Sequence, residues 1–275
     1  MTWNVALLRI VVVASALLGS ACANAPQNAA SASGGVRIER IDKEFEFDTN
    51  VTRIAIDNPW GEINVRSRDE REVGIHAVIQ RMPPDFQKIE LKSRIDGDTL
   101  QIDVVKAASR NDEAATPGRA DVAVYVPADL ALSLSTKSGR ISARKRQGAL
   151  QATTDSGEIQ ASSFSRLNLR SRSGQIRAAA IGKRWQGISE IATDSGRIVL
   201  LVPTFGDIAL DAETGGKLST GFGLSVHALA QGGNEAHARY GAGTSQLRAR
   251  STKGEIVLEQ LVLLGEDKEL PEDDD

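Results

Sequence analysis

The chain has 275 residues, 41% of them hydrophobic but only 4% aromatic, and a formal charge of −3. With so few aromatics the core falls to Val, Ile, Leu and Ala, which suits narrow stacked layers better than enzymes with deep aromatic-lined pockets. From Glu266 to Asp275 seven acids stand against one base, Lys268, so the rest of the chain carries about +3 and shows no basic stripe of the kind that holds nucleic acid.

In chain order, residues 1–21 read as a signal peptide. Arg9 is the one charge of Met1–Arg9, Ile10–Leu18 is an uncharged apolar run, and the small residues Gly19, Ser20 and Ala21 lead to Cys22. The apolar run is too short to span a bilayer and nothing like it recurs. Cys22 is the only cysteine, which excludes an intramolecular disulfide. Leu18-Gly19-Ser20-Ala21-Cys22 resembles a bacterial lipobox, in which a diacylglycerol is joined to the cysteine, although the leucine stands four residues before Cys22 where three is usual. Ordinary cleavage after Ala23 is the alternative. Residues 22–35 are small and polar and read as a flexible tether.

Residues 36–260 read as one repetitive domain. Pro59-Trp60-Gly61-Glu62-Ile63 is an early copy of a turn that recurs as Thr136-Lys137-Ser138-Gly139-Arg140-Ile141, Thr154-Asp155-Ser156-Gly157-Glu158-Ile159, Ser171-Arg172-Ser173-Gly174-Gln175-Ile176 and Thr193-Asp194-Ser195-Gly196-Arg197-Ile198. Successive glycines of these four are 18, 17 and 22 residues apart. Thr214-Gly215-Gly216-Lys217-Leu218 is a degenerate copy and Ser251-Thr252-Lys253-Gly254-Glu255-Ile256 closes the series. The 38 residues between Gly216 and Gly254 read as two layers with a blurred one between. Arg81–Lys88 and Ala107–Ala120 are polar excursions, Ile181–Gly187 is a bulge around Trp185, Gly221–Gly243 is poorly patterned, and residues 261–275 form an acidic tail expected to be disordered.

Each part of the repeat has an expected role. Glycine supplies a positive φ at the turn, and the Ser, Thr and Asp before it bond nearby backbone amides. The aliphatic two residues after glycine (Ile63, Ile141, Ile159, Ile176, Ile198, Leu218, Ile256) opens a strand facing the core. Alternation turns Val65, Ala143, Ala161, Ala178, Leu200 and Leu258 inward too, with Leu134, Ala152, Leu169, Ile191 and Ala249 facing them from before the turn. Such short strands bury an apolar face only by stacking on the layers above and below. The expected fold is therefore all-β, a single-stranded parallel β-helix (β-solenoid) of right-handed sense. A sandwich or barrel is the rival, but would favour Asn-Gly or Asp-Gly hairpins over one turn repeated at layer spacing.

The recurring Thr-x-Ser-Gly-x-Ile, Val122-Ala123-Val124-Tyr125-Val126-Pro127 and Asp57-Asn58-Pro59-Trp60-Gly61 resemble the bacterial putative-adhesin family, over about Val36 to Gln260. The resemblance implies a single-stranded β-helix and an adhesin-like role, and carries over no catalytic residue.

The charges of the turn are the candidates for chemistry. Lys137, Asp155, Arg172 and Asp194 would stack as a column of alternating sign. Asp155 and Asp194 would then lie about 10 Å apart, two interstrand spacings, beyond the roughly 6.5–9.5 Å of inverting carboxylate pairs. Arg172 between them would keep both ionised, where an acid catalyst needs a raised pKa. His76, His227 and His237 lack metal-ligand spacing, Gly232-Gly233 lacks the lysine of a phosphate loop, and no nucleophile elbow occurs. Trp60 and Trp185 either stack on sugars or cover the ends and bulges of the core. The expectation is a non-catalytic binding or scaffolding protein of the bacterial cell envelope, without catalytic residues, cofactor or metal. Its partner would be an envelope protein or glycan, not nucleic acid. It would be held by a lipid on Cys22 (at the outer membrane in a Gram-negative host) or free in the periplasm. A β-helical polysaccharide lyase or hydrolase is the alternative.

Overall fold

A computed structural model describes residues 36–46, 50–81, 89–106 and 118–262. The expected signal peptide, Cys22, the tether and the acidic tail lie outside them, as does most of both polar excursions. In chain order the strands before the repeats are β1 (Arg37–Glu46), β2 (Arg53–Asp57), β3 (Ile63–Arg68), β4 (Glu72–Arg81), β5 (Ile89–Asp96), β6 (Thr99–Lys106) and β7 (Arg119–Pro127). The repeats form β8 (Ala131–Thr136), β9 (Ile141–Arg146), β10 (Leu150–Thr154), β11 (Ile159–Ser163), β12 (Leu167–Ser171), β13 (Ile176–Ala180), β14 (Ile188–Thr193) and β15 (Ile198–Val202). The remainder are β16 (Ile208–Thr214), β17 (Leu218–Thr220), β18 (His227–Ala228), β19 (Asn234–Tyr240), β20 (Ser245–Ser251) and β21 (Ile256–Gln260). No helix occurs among the described residues.

The strands make two large, mostly parallel sheets. From β8 to β15 the chain alternates between them, each strand pairing in parallel with the strand two further on. Every residue expected to face the core is buried, none more than 7% exposed. In one sheet Ile63, Ile141, Ile159, Ile176, Ile198, Ile256 and Leu218 stand in one file, each opposite the next. Burying one such side chain is worth about 1.5–3 kcal/mol, which no single layer realises alone.

The turn works differently from the expectation. Gly139, Gly157, Gly174, Gly196 and Gly254 are not among the glycines of positive φ. What each position demands is the absence of a Cβ. A Cβ on Gly157 would lie 1.9 Å from the carbonyl oxygen of Gly139, one on Gly174 1.9 Å from that of Gly157, and one on Gly254 1.8 Å from that of Gly196. The first Ser or Thr of the motif is buried as well. Its hydroxyl oxygen accepts the glycine N–H three residues on, at 3.0 Å for Thr154 and Gly157 and 2.8 Å for Ser171 and Gly174. In several layers the same hydroxyl donates to a carbonyl of the adjoining layer, as Thr136 does to Gly61 (3.1 Å) and Thr154 to Lys137 (3.2 Å).

The ends depart from a uniform parallel stack. β1, β4 and β7 run antiparallel in one sheet and β5 and β6 form a hairpin in the other. The second polar excursion also ends earlier than expected, since Arg119 and Ala120 already belong to β7. At the far end no blurred layer separates Gly216 from Gly254. The order in space is Gly196, Gly254, Gly216, because β20 slots between β14 and β16 while β21 slots between β15 and β17. β19 already occupies the other edge of β16, antiparallel, so the last repeat enters from inside. The glycine-rich stretch before it is the cap built by β18 and β19.

Charge agrees with this order. The residues after the glycines stack as Glu62, Arg140, Glu158, Gln175, Arg197, Glu255 and Lys217, tied by bonds such as Ile141 N to Glu158 O (2.8 Å) and Ile198 N to Glu255 O (2.8 Å). Ion pairs join Arg140 to Glu158 (3.1 Å), Arg197 to Glu255 (3.2 Å) and Lys217 to Glu255 (3.9 Å). Stacking in chain order would instead set Arg197 against Lys217, and like charges directly opposite are destabilising.

Two measurements check this account. Gly157→Ala should cost about 3 kcal/mol in chemical denaturation, because its methyl overpacks a backbone that cannot yield. Gly97→Ala, at φ 59° with nothing within 4 Å of the added carbon, should cost only about 1–2 kcal/mol of left-handed strain. Equal costs would contradict the crowding argument. A double-mutant cycle of Arg197→Gln with Glu255→Gln should return a coupling of about 0.3–1 kcal/mol; none is expected for Arg197→Gln with Lys217→Gln.

Candidate functional site

The column of alternating sign forms over the four expected layers. Asp155 N donates to Lys137 O (3.1 Å) and Asp194 N to Arg172 O (3.1 Å), and Thr154 lies opposite Ser171, giving the order Lys137, Asp155, Arg172, Asp194; the next layer places Thr252 in this file, since Thr193 lies opposite Ser251. Among these neighbours only Asp155 and Arg172 reach ion-pair distance, 3.3 Å, and both side chains are more than half exposed. Such a pair contributes about 0–1 kcal/mol. Asp155 and Asp194 stay separated by the layer of Arg172, so they do not flank a common cleft.

Among the described residues the carboxyls with displaced pKa all move down. The Glu70 backbone amide and then Arg68 lower Glu70; Thr52 and Thr99 lower Asp98; the Ala242 amide and then Arg184 lower Asp207. These movements favour the charged form, the opposite of what a general acid needs.

The remaining candidates have structural neighbours. His76 bonds Asp42, and His237 lies 3.2 Å from both Asp211 and Glu235, while His227 is exposed. Among the described residues no group of three or more His, Cys, Asp and Glu is placed to hold a metal, and no helix is long and apolar enough to cross a membrane. Trp185 is buried; its amide donates to Ser245 Oγ (2.8 Å) and its ring nitrogen to Gln246 O (3.3 Å), so it covers the bulge and offers no sugar platform. Trp60 is half-buried against the core. Gly232 and Gly233 lie in the turn before β19, at φ 90° and 101°.

The sequence reading missed one constellation. Asn64, Arg66 and Ser67 of β3 face Ser142, Arg144 and Lys145 of β9 across an open cleft of about 500 Å³, with Val65 between. Lys145 is the non-glycine residue at positive φ, 53°, among the described residues. Beneath the cleft the Arg146 guanidinium is fully buried and donates to Ser67 Oγ (3.0 Å) and Leu130 O (3.2 Å) as well as to Pro127 O. Burial pushes its pKa down to about 10, against the opposing pull of Asp129. The basic residues of Arg144-Lys145-Arg146 are visible in the sequence. That one is buried, one strained and one open is not.

No family model matches the chain, and no curated protein matches it. Solved structures do. A "putative cell adhesion protein" from Clostridium sporogenes is 13% identical, with a TM-score of 0.48 over 81% of this chain and 100% of its own. A "putative adhesin" from Bacteroides fragilis is 12% identical, with a TM-score of 0.35 over 80% and 97%. Another from Parabacteroides distasonis is 10% identical, with a TM-score of 0.22 over 82% and 98%.

Proposed function

We propose that this chain is a non-catalytic, adhesin-like binding or scaffolding module of the bacterial cell envelope, its residues 36–260 forming one two-sided β-solenoid. The observation that carries the reading is the use to which the repeat puts its charge. Glu158, Asp155 and Glu255 each pair with a basic residue one layer away, a use of charge that fixes register between layers. Alternation of the chain between two parallel sheets, layer on layer, supports the solenoid. The long outer faces then offer contact area without turnover. Attachment through a lipid on Cys22 would present those faces at a membrane surface, as the lipobox-like sequence suggests. The polysaccharide lyase or hydrolase gains no support, since Arg172 lies between Asp155 and Asp194.

The test compares the parent protein with Asp155→Asn and Asp194→Asn on bacterial polysaccharides and peptidoglycan, with a thermal melt alongside. No product release is expected from any of the three, and each substitution should lower stability by about 1 kcal/mol or less. Product released by the parent and lost in either variant would overturn the reading. For the anchor, mass spectrometry of the membrane fraction should find a diacylated Cys22 at the N-terminus; a soluble chain beginning at Asn24 would refute it.

A further inference from the structure

From the cleft between β3 and β9 we infer a binding site for an anionic sugar unit of a glycan, one bearing a carboxylate, sulfate or phosphate; the inference rests on the binding-module reading and names its ligand class. The cleft exists because two strands part. β3 and β9 pair only over Ile63–Val65 and Ile141–Ala143, after which β3 follows β7 as far as Arg68 opposite Pro127. β9 instead bulges against β11, where the register shifts between Ala161 and Ser163. The parting leaves a space within the range of about 300–1,000 Å³ usual for small-molecule sites, and Ser67 on its wall accepts from the buried Arg146 guanidinium.

What lines the space is one-sided in chemistry. Arg66, Arg144 and Lys145 supply cationic donors, Asn64 an amide, and Ser67 and Ser142 hydroxyls. Among the described residues no carboxylate closes on the three cations, whereas Arg140, Arg172 and Arg197 on the nearby turns all pair. Two of the three are held in place by neutral partners. The Arg66 guanidinium lies 5.8 Å from the centre of the Tyr125 ring, and Arg144 donates to Gln160. A cation oriented by neutral neighbours keeps its charge for a ligand. Hydroxyl and amide groups between the cations match the hydroxyls of a sugar ring, and the one apolar wall, Val65, is too little exposed to seat a hydrophobic peptide side chain.

Lys145 supplies the second, independent argument. A lysine at φ 53° is strained where glycine would not be, and its amide is fixed to Ser162 Oγ at 2.8 Å. Strain kept at an exposed position is characteristic of sites where side-chain direction matters more than stability.

The experiment is calorimetric titration of the purified protein with oligogalacturonate, a heparin-derived oligosaccharide and a phosphomannan, with dextran and inorganic phosphate as controls, at about 0.05 and about 0.5 M salt. At least one anionic glycan should bind, more weakly at high salt, and the arm that binds identifies the acidic group. Arg144→Gln with Lys145→Gln should weaken it by about tenfold or more, while Lys253→Gln, a distant cation of the last turn, should not. Lys145→Gly should weaken binding yet leave the melting temperature unchanged or raised. No anionic glycan bound, equal loss in Lys253→Gln, undiminished binding by Lys145→Gly, or binding of phosphate alone would each overturn the site. Dextran bound equally by parent and variants would also refute the site but leave the binding-module reading standing, which only turnover would remove.

Discussion

Where the backbone of one turn lies on the backbone of the next, carbonyl oxygen against α-carbon, no side chain fits, and the spacing of the whole stack follows from that. The glycine N–H, turned inward by this approach, must find an acceptor, and the buried Ser or Thr three residues earlier supplies it. An unmet buried amide would cost about 1–3 kcal/mol per layer. With turns held at interstrand distance, the aliphatic files close and the charges outside fall into register. Ion pairs there are individually weak, yet they penalise a slip that apolar files of near-identical residues would tolerate.

Much of this was legible from residue types. Period-two alternation identified the inward side chains, since strand geometry leaves only two faces. The roles within the turn were misread because they belong to the neighbouring layer: nothing local distinguishes a glycine needed for positive φ from one needed for contact. Asp96-Gly97 between β5 and β6 carries the sequence signature of a hairpin, a local signal that stands apart from the repeat. The order of the last two layers was legible in principle from the signs of Arg197, Lys217 and Glu255, which alternate only if the final repeat is inserted.

The membership of the charged column and its balance of sign follow from the turn motif alone. The basic cleft does not, for a topological reason. Arg66 and Arg144 become neighbours because β7 takes one edge of β3 and β9 later joins the other, an event without local signature. Its geometry also depends on Arg146, whose burial no hydropathy scale would suggest.

The insertion of β20 and β21 makes the segment from Ser245 to Gln260 an interior part. Until residue 260 has been made, β14 and β15 on one side and β16 and β17 on the other face a slot one strand wide, with unpaired amides along both walls. A growing chain cannot seal its own core in passing, and one cut short before that slot is filled keeps two raw strand edges, the condition that invites pairing with another chain. The two sheets thus close only once residues 245–260 are in place.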